Sequence, residues 1–483
     1  MTDLLPDQLA KGYQGKLRER VTIRQKTVSV DAAGAVAETW SDVATVWGNM
    51  IPKSGREYKG AGRDTAQRVW ELTIRYRAGL TPAMTIVWNS AVFDILSVRN
   101  ADERRRFLRI DLLERIDNTQ ETGDPPEPGV PLGWTSVRSH GAIGNGAADD
   151  TLAIESAKNI ALAGSRVLYF PSGEYNVTKA VTDGLYAIIF ENVDGLIIVG
   201  DGPKVTKIRV PNGAECQPFS FLNCANIQIR DLTLDGNYQN QSLRGAHALR
   251  GQDLDQFTVE NVHILNSAGY GAGFQGSSFR DIIFNNFYMY EAWSDGFDFK
   301  NLATDAADSN ARIILTNGRI VDCASIADDV AIDIRGPFTI DNVHIRLKYA
   351  DSGGIRVRDG SLGVSNGPGG KYSTISNVVI DAADLQTNGC VIIGDDYVNV
   401  SNVTIRNCNE NGMWAQATAE YCNFSNISIH SNSNVGTAFY ISTTKGNYSN
   451  IQTFGFSQGF RLSSGGDNLL VNCVAHNASE YSY

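Results

Sequence analysis

Short segments of alternating hydrophobic and polar residues fill the first part of the chain. Leu72, Ile74 and Tyr76, for example, are separated by polar residues, which is typical of a strand with one buried face. Asp31–Gly34 and Asn89–Ser90 have the composition of hairpin turns. Six strands in about 100 residues predict a small antiparallel β-barrel, with strands at Arg20–Lys26, Ala44–Ile51, Arg68–Tyr76, Thr85–Trp88, Ala91–Arg99 and Phe107–Arg115.

A repeat replaces this pattern in the second part of the chain. An asparagine followed by an apolar strand recurs, mostly at steps of 24 or 25 residues, at Asn261, Asn286, Asn317, Asn342, Asn377, Asn402, Asn426 and Asn450. Such a period predicts a β-helix in which each repeat is one coil and the asparagines stack at a turn. A β-sandwich with Asn-rich turns, the alternative, does not produce so regular a period. The predicted fold class is therefore all-β, a small N-terminal antiparallel β-barrel followed by a right-handed parallel β-helix.

A second row of positions follows each asparagine by about 12–16 residues. Its pattern is small, apolar, variable, apolar, so the variable residue is predicted to face away from the core. The predicted outward row is Asp298, Asp333, Arg356, Val391, Trp414, Tyr440 and Arg461. Acids, an arginine and aromatic rings on one face suit a sugar-binding groove, with Arg356, Arg358, Trp414, Tyr440 and Arg461 as glycan-binding candidates. A solvated sheet face that carries these residue types is the open alternative.

Acidic residues cluster on two successive repeats of that row. Asp295, Asp298, Asp328, Asp329 and Asp333 are the candidate catalytic residues. Glycoside hydrolysis needs two carboxyl groups about 5–9.5 Å apart, and neighbouring coils can supply that spacing. Acidic turns without activity, or an ion site, remain open as alternatives. The sequence gives no spacing that predicts a bound metal or a cofactor.

A proline-rich segment, residues 118–133, separates the two patterns and holds four of the chain's 13 prolines. Such a segment predicts an extended linker, so we expect domains at 1–117 and 134–483. Residues 1–117 carry 19 Lys and Arg against 15 Asp and Glu, or +4, and residues 118–483 carry 23 against 38, or −15. All seven cysteines follow the linker without a CxxC pair, which predicts free thiols and assembly in a reducing host cytoplasm. No signal peptide or long apolar run is visible, so no membrane contact is expected.

Four strings in the first domain carry a resemblance to a known family: GKLRERVTIRQKT (15–27), VWGNMIPKSGREY (46–58), IRYRAGLTPAM (74–84) and FDILSVRNADERRRFLRIDLLE (93–114). Together they resemble the head–tail joining, or stopper, proteins of tailed bacteriophages. The resemblance implies a closed homo-oligomeric ring, with a hexamer expected, between the portal or adaptor protein and the tail tube or tail terminator. It also implies that the 52–68 loop faces packaged double-stranded DNA and contacts it without reading sequence, through Lys53, Arg56, Lys59, Arg63 and Arg68. A solvated charged loop is the alternative.

The second domain begins with GAIGNGAADDT (141–151) and YFPSGEYNV (169–177). These strings resemble the entry of the pectate-lyase-like right-handed β-helix proteins, which include phage tailspikes and polysaccharide depolymerases. SDGFDF and ADDVAIDI resemble the acid motifs of polygalacturonases, but Ser352-Gly353-Gly354 stands where that family has Gly-His-Gly. We therefore expect a virion neck protein that displays a β-helical collar spike, with host surface polysaccharide as a further candidate partner. A polysaccharide depolymerase carried on the neck is the alternative.

Overall fold

The computed structural model of the protein describes residues 17–30, 36–53, 69–82, 84–89, 91–101, 106–115, 130–131, 133–179, 185–301, 312–358, 371–385, 389–463 and 466–480. The chain divides into two compact units, residues 1–121 and 122–483. Residues 116–129, most of the predicted linker, lie outside the described ranges. Among the described residues, no helix is both long and apolar enough to cross a membrane.

The first unit is a closed antiparallel barrel with strand order β1-β2-β3-β6-β5-β4, as predicted. Its strands are β1 (Glu19–Val30), β2 (Val36–Lys53), β3 (Val69–Arg75), β4 (Met84–Trp88), β5 (Ala91–Asn100) and β6 (Phe107–Arg115). Val21, Ile23, Leu72, Ile74 and Ile110 are fully buried in its core, because alternate residues of each strand point inward. The hydrophobic alternation therefore located all six strands.

Strands β1 and β2 are longer than predicted. They continue beyond the barrel as a paired ribbon in which Lys26–Val30 opposes Val36–Trp40. Val28 and Val30 alternate with Thr27 and Ser29, so the alternation of β1 continues into this ribbon. The predicted turn at 31–34 lies outside the described residues.

The second unit is a parallel β-helix. Its described residues also include an α-helix near the start, α1 (Thr151–Ala163), and short 3-10 helices at Arg138–His140 and Tyr238–Asn240. Its strands are β7 (Thr135–Ser136), β8 (Asn145–Asp149), β9 (Val167–Phe170), β10 (Gly173–Asn176), β11 (Tyr186–Glu191), β12 (Asp194–Gly200), β13 (Thr206–Arg209), β14 (Gln217–Asp235), β15 (Leu249–Ser267), β16 (Ala272–Asn285), β17 (Tyr288–Ala292), β18 (Phe297–Asn301), β19 (Ile313–Val321), β20 (Val330–Arg335), β21 (Phe338–Arg346), β22 (Gly353–Val357), β23 (Thr374–Leu385), β24 (Val391–Ile393), β25 (Asn399–Cys408), β26 (Asn411–Ala415), β27 (Asn423–His430), β28 (Thr437–Ile441), β29 (Asn447–Phe454), β30 (Gln458–Leu462) and β31 (Leu469–His476).

Successive coils stack through parallel pairing into three sheets. Sheet A consists of β11, the first parts of β14, β15 and β16, and then β18, β20, β22, β24, β26, β28 and β30. The other long segments of each coil supply sheet B before a bend and sheet C after it. The bend lies at Asp231 in β14 and at an asparagine in the coils from Asn261 onward. In β25, for example, Asn399–Ser401 pair in sheet B and Val403–Arg406 pair in sheet C. Inward-facing phenylalanines fill the core, and the rings of Phe284 and Phe297 meet edge to face at 4.9 Å.

The predicted asparagine ladder is present at the bend between sheets B and C. Asn402 donates from Nδ2 to Oδ1 of Asn377 at 3.1 Å and accepts from Nδ2 of Asn426 at 3.1 Å. Its φ is +55°, in the left-handed region that asparagine tolerates better than most residues. The ladder positions Asn261, Asn286, Asn317, Asn342, Asn377, Asn426 and Asn450 share a φ between 50° and 55°.

Two steps of the ladder use a different acceptor. Asn317 donates to Asn285 and Asn377 donates to Asp341, in each case the residue just before the ladder position of the previous coil. Asparagine thus satisfies its side chain between coils while it allows the backbone to bend.

All seven cysteines lie among the described residues, and all are free thiols. Six of them are buried and Cys473 is half-buried. Burial raises the pKa of Cys216 and of Cys323 to about 12, which keeps these thiols protonated. The cysteines therefore act as small apolar residues of the β-helix core.

Candidate functional site

One position on each coil of sheet A points away from the core, and these positions pair in register along the rod. Asp298 pairs with Asp333, Asp333 with Arg356, Trp414 with Tyr440, and Tyr440 with Arg461. The predicted outward row therefore exists as a continuous line of neighbouring residues. Parallel pairing brings together side chains that lie more than 20 positions apart in the sequence.

One member of the predicted row is wrong. Val391 is fully buried and pairs with Ile355, whereas Ile392 pairs with Arg356 and with Trp414 on the outward side. Strand β24 is only three residues long, Val391–Ile393, and all three are apolar. Alternation therefore gives no signal there for which residue points outward.

The predicted glycan-binding residues share one groove. A cavity of about 540 Å³ lies on sheet A, and Arg356, Arg358, Trp414, Tyr440 and Arg461 all line it. The groove also contains the acids Asp328 and Asp351. Its lining thus combines three guanidinium groups, two carboxylates and two large aromatic rings.

The aromatic rings of the groove stack on each other. The ring centroids of Trp414 and Tyr440 are 5.6 Å apart with planes 18° from parallel, and the Arg461 guanidinium lies 4.9 Å from the Tyr440 centroid. Trp414 and Arg461 thereby cover the two faces of the Tyr440 ring, and Tyr440 covers one face of the Trp414 ring. The indole Nε1 of Trp414 is buried without a hydrogen-bond acceptor among the described residues. Because this atom is buried, Trp414 lines the groove with its other atoms.

Three of the candidate catalytic acids form a compact cluster beside the groove. Asp295, Asp298 and Asp333 are 4%, 3% and 2% exposed. One carboxylate oxygen from each lies within 4.8 Å of the others. None of the three lines the groove. The remaining two acids lie farther out: Asp329 accepts a hydrogen bond from Ser294 Oγ at 2.6 Å, and Asp328 is exposed at the groove.

Two arginines hold the innermost carboxylate. Arg356 donates to Asp333 Oδ2 from Nε at 3.0 Å and from Nη2 at 2.6 Å, and Arg358 donates from Nε at 2.8 Å. Burial by itself would raise the pKa of Asp333, but the hydrogen bonds and charges of Arg358 and Arg356 hold it below its ordinary value. Asp333 is therefore an ionised anchor for two groove arginines, which makes it a poor proton donor.

The other two acids behave in the opposite way. Burial raises the pKa of Asp295 well above its ordinary value of 3.8, and the charges of Asp333 and Asp329 add to the shift. Burial also raises the pKa of Asp298, although an ion pair with Lys300 opposes it. Asp295 Oδ1 accepts the backbone N–H of Val330 at 2.6 Å. The cluster thus places carboxyl groups of contrasting acidity side by side.

The acid cluster is poorly suited to a metal ion. Three carboxylates within reach of one point could coordinate a divalent cation in principle. Lys300, Arg356 and Arg358 already neutralise Asp298 and Asp333. A cation would have to displace these side chains, so the charge of the cluster is balanced within the protein.

The sequence did not reveal a group of polar residues on the coils before Asp298. His247 stacks on Tyr270 at 4.8 Å, and the Lys300 Nζ atom lies 4.9 Å from the Tyr270 ring centroid. Burial lowers the pKa of His247 to about 3, so its imidazole is neutral. Gly273 occupies the outward row here, and a Cβ at this position would lie 3.0 Å from both rings. A glycine at this position of the outward row was the signal in the sequence that could have indicated the group, because it leaves room for the rings of His247 and Tyr270.

The candidate DNA-channel residues are mostly beyond the described ranges. Lys53 ends strand β2 and forms ion pairs with Asp111 at 2.6 Å and with Glu71 at 3.2 Å. Arg56, Lys59, Arg63 and Arg68 lie outside the described residues. Lys53 is therefore tied to the barrel wall.

Comparison with known families separates the two units. Residues 14–115 match the family model described as phage head completion protein. Residues 134–325 match the model described as rhamnogalacturonase A/epimerase, pectate lyase-like.

Individual relatives share only part of the chain. Mannuronan C5-epimerase AlgE4 of Azotobacter vinelandii is 32% identical over 149 residues, which cover 28% of this chain and 27% of the epimerase. The pre-neck appendage protein of Bacillus phage B103 is 25% identical over 144 residues, which cover 29% of this chain and 16% of that protein. The solved A-module of AlgE4 superposes with a TM-score of 0.43 at 16% identity, covering 72% of this chain and 97% of the module. The matched stretch thus spans about a quarter of the length of the epimerase and a smaller share of the pre-neck appendage protein. The chain consists of a phage head completion domain followed by a pectate-lyase-like β-helix domain.

Proposed function

We propose that this protein is a structural component of the phage neck that displays a polysaccharide-binding β-helix. The head completion match supports a place between head and tail, and the similarity to a pre-neck appendage protein supports display at the neck. The barrel would form the ring, with a hexamer as the expected stoichiometry. Its neighbours would be the portal or adaptor protein on one side and the tail tube or tail terminator on the other. The virion is the proposed location, after assembly in the host cytoplasm.

The observation that carries the binding role is the groove on sheet A. Arginines and aromatic rings converge in it, while the three closely clustered acids lie outside its lining. Charged and aromatic groups on a rigid sheet are preorganised to hold hydroxyl and carboxylate groups of a sugar chain. The stacked rings would contact the sugar mainly through their edges, because their facing surfaces are occupied.

A binding experiment tests this role. Full-length protein is titrated with purified surface polysaccharide of the host, and binding is measured by calorimetry. Saturable binding that Trp414→Ala weakens supports the groove. Absence of binding to any host polysaccharide overturns it.

The ring role is tested through the 52–68 loop, which we propose faces DNA. Replacing Arg56 and Arg63 by glutamate places negative charge against the phosphates and should impair DNA retention or passage. The β-helix should keep its polysaccharide binding in the same variant. If particles with both substitutions package, retain and eject DNA normally, the 52–68 loop does not face the DNA channel.

A second candidate function, polysaccharide depolymerisation, is favoured by the contrasting acidity of the cluster. Asp295 and Asp298 have raised pKa values and lie next to Tyr270, Lys300 and the neutral His247, which could take part in proton transfer. In this case Asp298→Asn or Asp333→Asn should abolish release of reducing ends from host polysaccharide. If the function is binding alone, wild-type protein releases none. Asp298→Asn then differs from it in affinity, and Asp333→Asn differs from it in stability as well.

We also propose that residues 118–133 act as a tether between independently folding domains. A fragment of residues 134–483 should then give a cooperative, β-rich unfolding transition like that of the β-helix in the full chain. Aggregation of the fragment, or a spectrum of unfolded chain, would argue against this boundary.

A further inference from the structure

Three tyrosines form an exposed stack on the β-helix, outside the groove. Tyr372, Tyr397 and Tyr421 each lie two residues before a sheet B strand, at the turn that follows sheet A. Adjacent ring centroids are 5.0 Å apart, with planes 19° and 6° from parallel. The residues are 74%, 36% and 41% exposed, and the Lys445 Nζ atom lies 4.7 Å from the last ring. We call these three residues the tyrosine ladder.

The backbone does not explain why tyrosine occupies these turns. The φ angles of the ladder are 59°, 57° and 56°, in the left-handed region where a bulky side chain costs about 1–2 kcal/mol. At the bend between sheets B and C the same region is occupied by asparagine, which relieves that cost. Three successive coils therefore keep large exposed rings at positions where a smaller polar residue suits the backbone better. Exposed aromatic rows of this kind are characteristic of contact surfaces.

The geometry of the stack favours a protein surface as its partner. The ring faces are turned toward one another, so mainly the edges and hydroxyl groups line the surface along the rod. A sugar ring binds best to an open aromatic face, and that surface is largely occupied here. A row of edges repeating with every coil suits a partner that repeats at the same spacing.

A second copy of this chain has that spacing. We propose that the tyrosine ladder is the contact by which the β-helix of one copy packs beside the β-helix of another. Both rods repeat at about 4.8 Å, so a contact made by one tyrosine is repeated by the next. This proposal rests on the proposed neck function, because a ring of barrels would bring several rods around one axis. Stacking orders the rings before association, which lowers the entropic cost of the contact.

Local charge allows this approach. Residues 118–483 carry a net charge of −15, so two rods repel over most of their surface. Beside the ladder the charges are balanced in pairs, with Lys371 3.4 Å from Asp396 and Lys445 3.1 Å from Glu420. The ladder is thus a strip where two acidic rods can meet without strong repulsion.

Tyrosine labelling of the full-length chain tests the contact. Iodination or hydroxyl-radical labelling is measured by mass spectrometry in dilute and in assembled protein. We expect labelling of Tyr372, Tyr397 and Tyr421 to fall severalfold on assembly. Any one of three results would overturn the proposal. These are equal labelling in the two samples, a chain that stays monomeric at all concentrations, and protection that appears only when polysaccharide is added.

A triple variant gives the second measurement. Tyr372, Tyr397 and Tyr421 are replaced together by asparagine, which tolerates the left-handed backbone and should preserve the fold. Sedimentation velocity should show association weakened at least tenfold, while Leu152→Asn, a control at an exposed residue of α1, should not change it. Association equal to that of the wild type, with an unchanged unfolding transition, would exclude the ladder. If the chain binds polysaccharide but does not self-associate, only the proposed tyrosine-ladder contact is excluded. If it self-associates but does not bind polysaccharide, only the proposed groove function is excluded.

Discussion

Asp333 and Arg356 lie on adjacent coils of sheet A and are joined by two hydrogen bonds, with Nε at 3.0 Å and Nη2 at 2.6 Å from the same carboxylate oxygen. Asp333 is buried, and the side chain of Arg356 is only 17% exposed. Arg358 completes the arrangement from the groove side. The pair connects the acid cluster to the groove, because the arginines that line the groove are fixed by an acid outside it.

Replacing Asp333 by asparagine should destabilise the β-helix strongly. The substitution leaves Arg356 and Arg358 without their counter-charge, and breaking a buried ion pair costs about 3 kcal/mol or more. We expect the lower end of that range, because Arg358 keeps some solvent access. Chemical denaturation at neutral pH measures the change. Asp467→Asn, on an exposed residue before β31, is the control and should change stability by less than about 0.5 kcal/mol. Similar losses in both variants would contradict the anchoring role.

Asp295→Asn should remove a pH dependence of stability. The pKa of Asp295 is raised in the folded chain, so between the ordinary value of 3.8 and that raised value the folded chain binds more protons than the unfolded chain. Stability from this group is therefore present at low pH and is lost as pH rises through the folded pKa. Asparagine has the same shape and can still accept from Val330 N–H, but it does not ionise.

The measurement is chemical denaturation from about pH 4 to about pH 8. The free energy of unfolding of Asp295→Asn should exceed that of the wild type increasingly toward the upper end of this range. Asp333 contributes with the opposite sign, because its pKa is lowered in the folded chain. Parallel curves for wild type and Asp295→Asn would show that the carboxyl ionises without cost.

Trp414→Ala should weaken polysaccharide binding by about 1 kcal/mol, or roughly fivefold in Kd. The indole lines the groove and forms one end of the stacked pair. Calorimetric titration of the full-length chain measures the effect, with unfolding curves to confirm an intact fold. Tyr372→Ala removes an exposed ring outside the groove and should leave affinity unchanged. Equal losses in the two variants would indicate a nonspecific aromatic contribution.

Asn402→Ala should destabilise the β-helix by about 2 kcal/mol. Alanine loses hydrogen bonds to Asn377 and Asn426, worth about 1 kcal/mol each at most, and must keep a φ of +55°. Asn402→Gly loses the same bonds but adopts that backbone freely, so it should cost less than alanine. Thermal unfolding of the two variants separates the loss of hydrogen bonds from the cost of the left-handed backbone. Equal destabilisation would mean that the left-handed backbone carries no cost at this bend.

Both architectures and most of the groove residues could be predicted from the amino-acid sequence alone. Alternation located the six barrel strands because each has one buried face, and the asparagine period located the coils because each coil must bend at the same place. Arg356, Trp414, Tyr440 and Arg461 could be assigned to one line because stacking of coils converts a fixed spacing in the chain into adjacency in space. The prediction that Val391 points outward was wrong because β24 consists of three consecutive apolar residues and shows no alternation.

The environment of the acids and the arrangement of the tyrosines depend on contacts between coils. Asp298 and Asp333 point outward, yet Lys300, Arg356 and Arg358 pair with them, and these contacts depend on side-chain conformations rather than on spacing. The contrasting pKa values of Asp295 and Asp333 follow from that burial and pairing. The tyrosines of the ladder recur at steps of 25 and 24 residues, the period of the coils, but only the structure shows that their rings are exposed and stacked. Spacing places residues on a coil, but the electrostatics of a site are decided by which neighbouring side chains reach it.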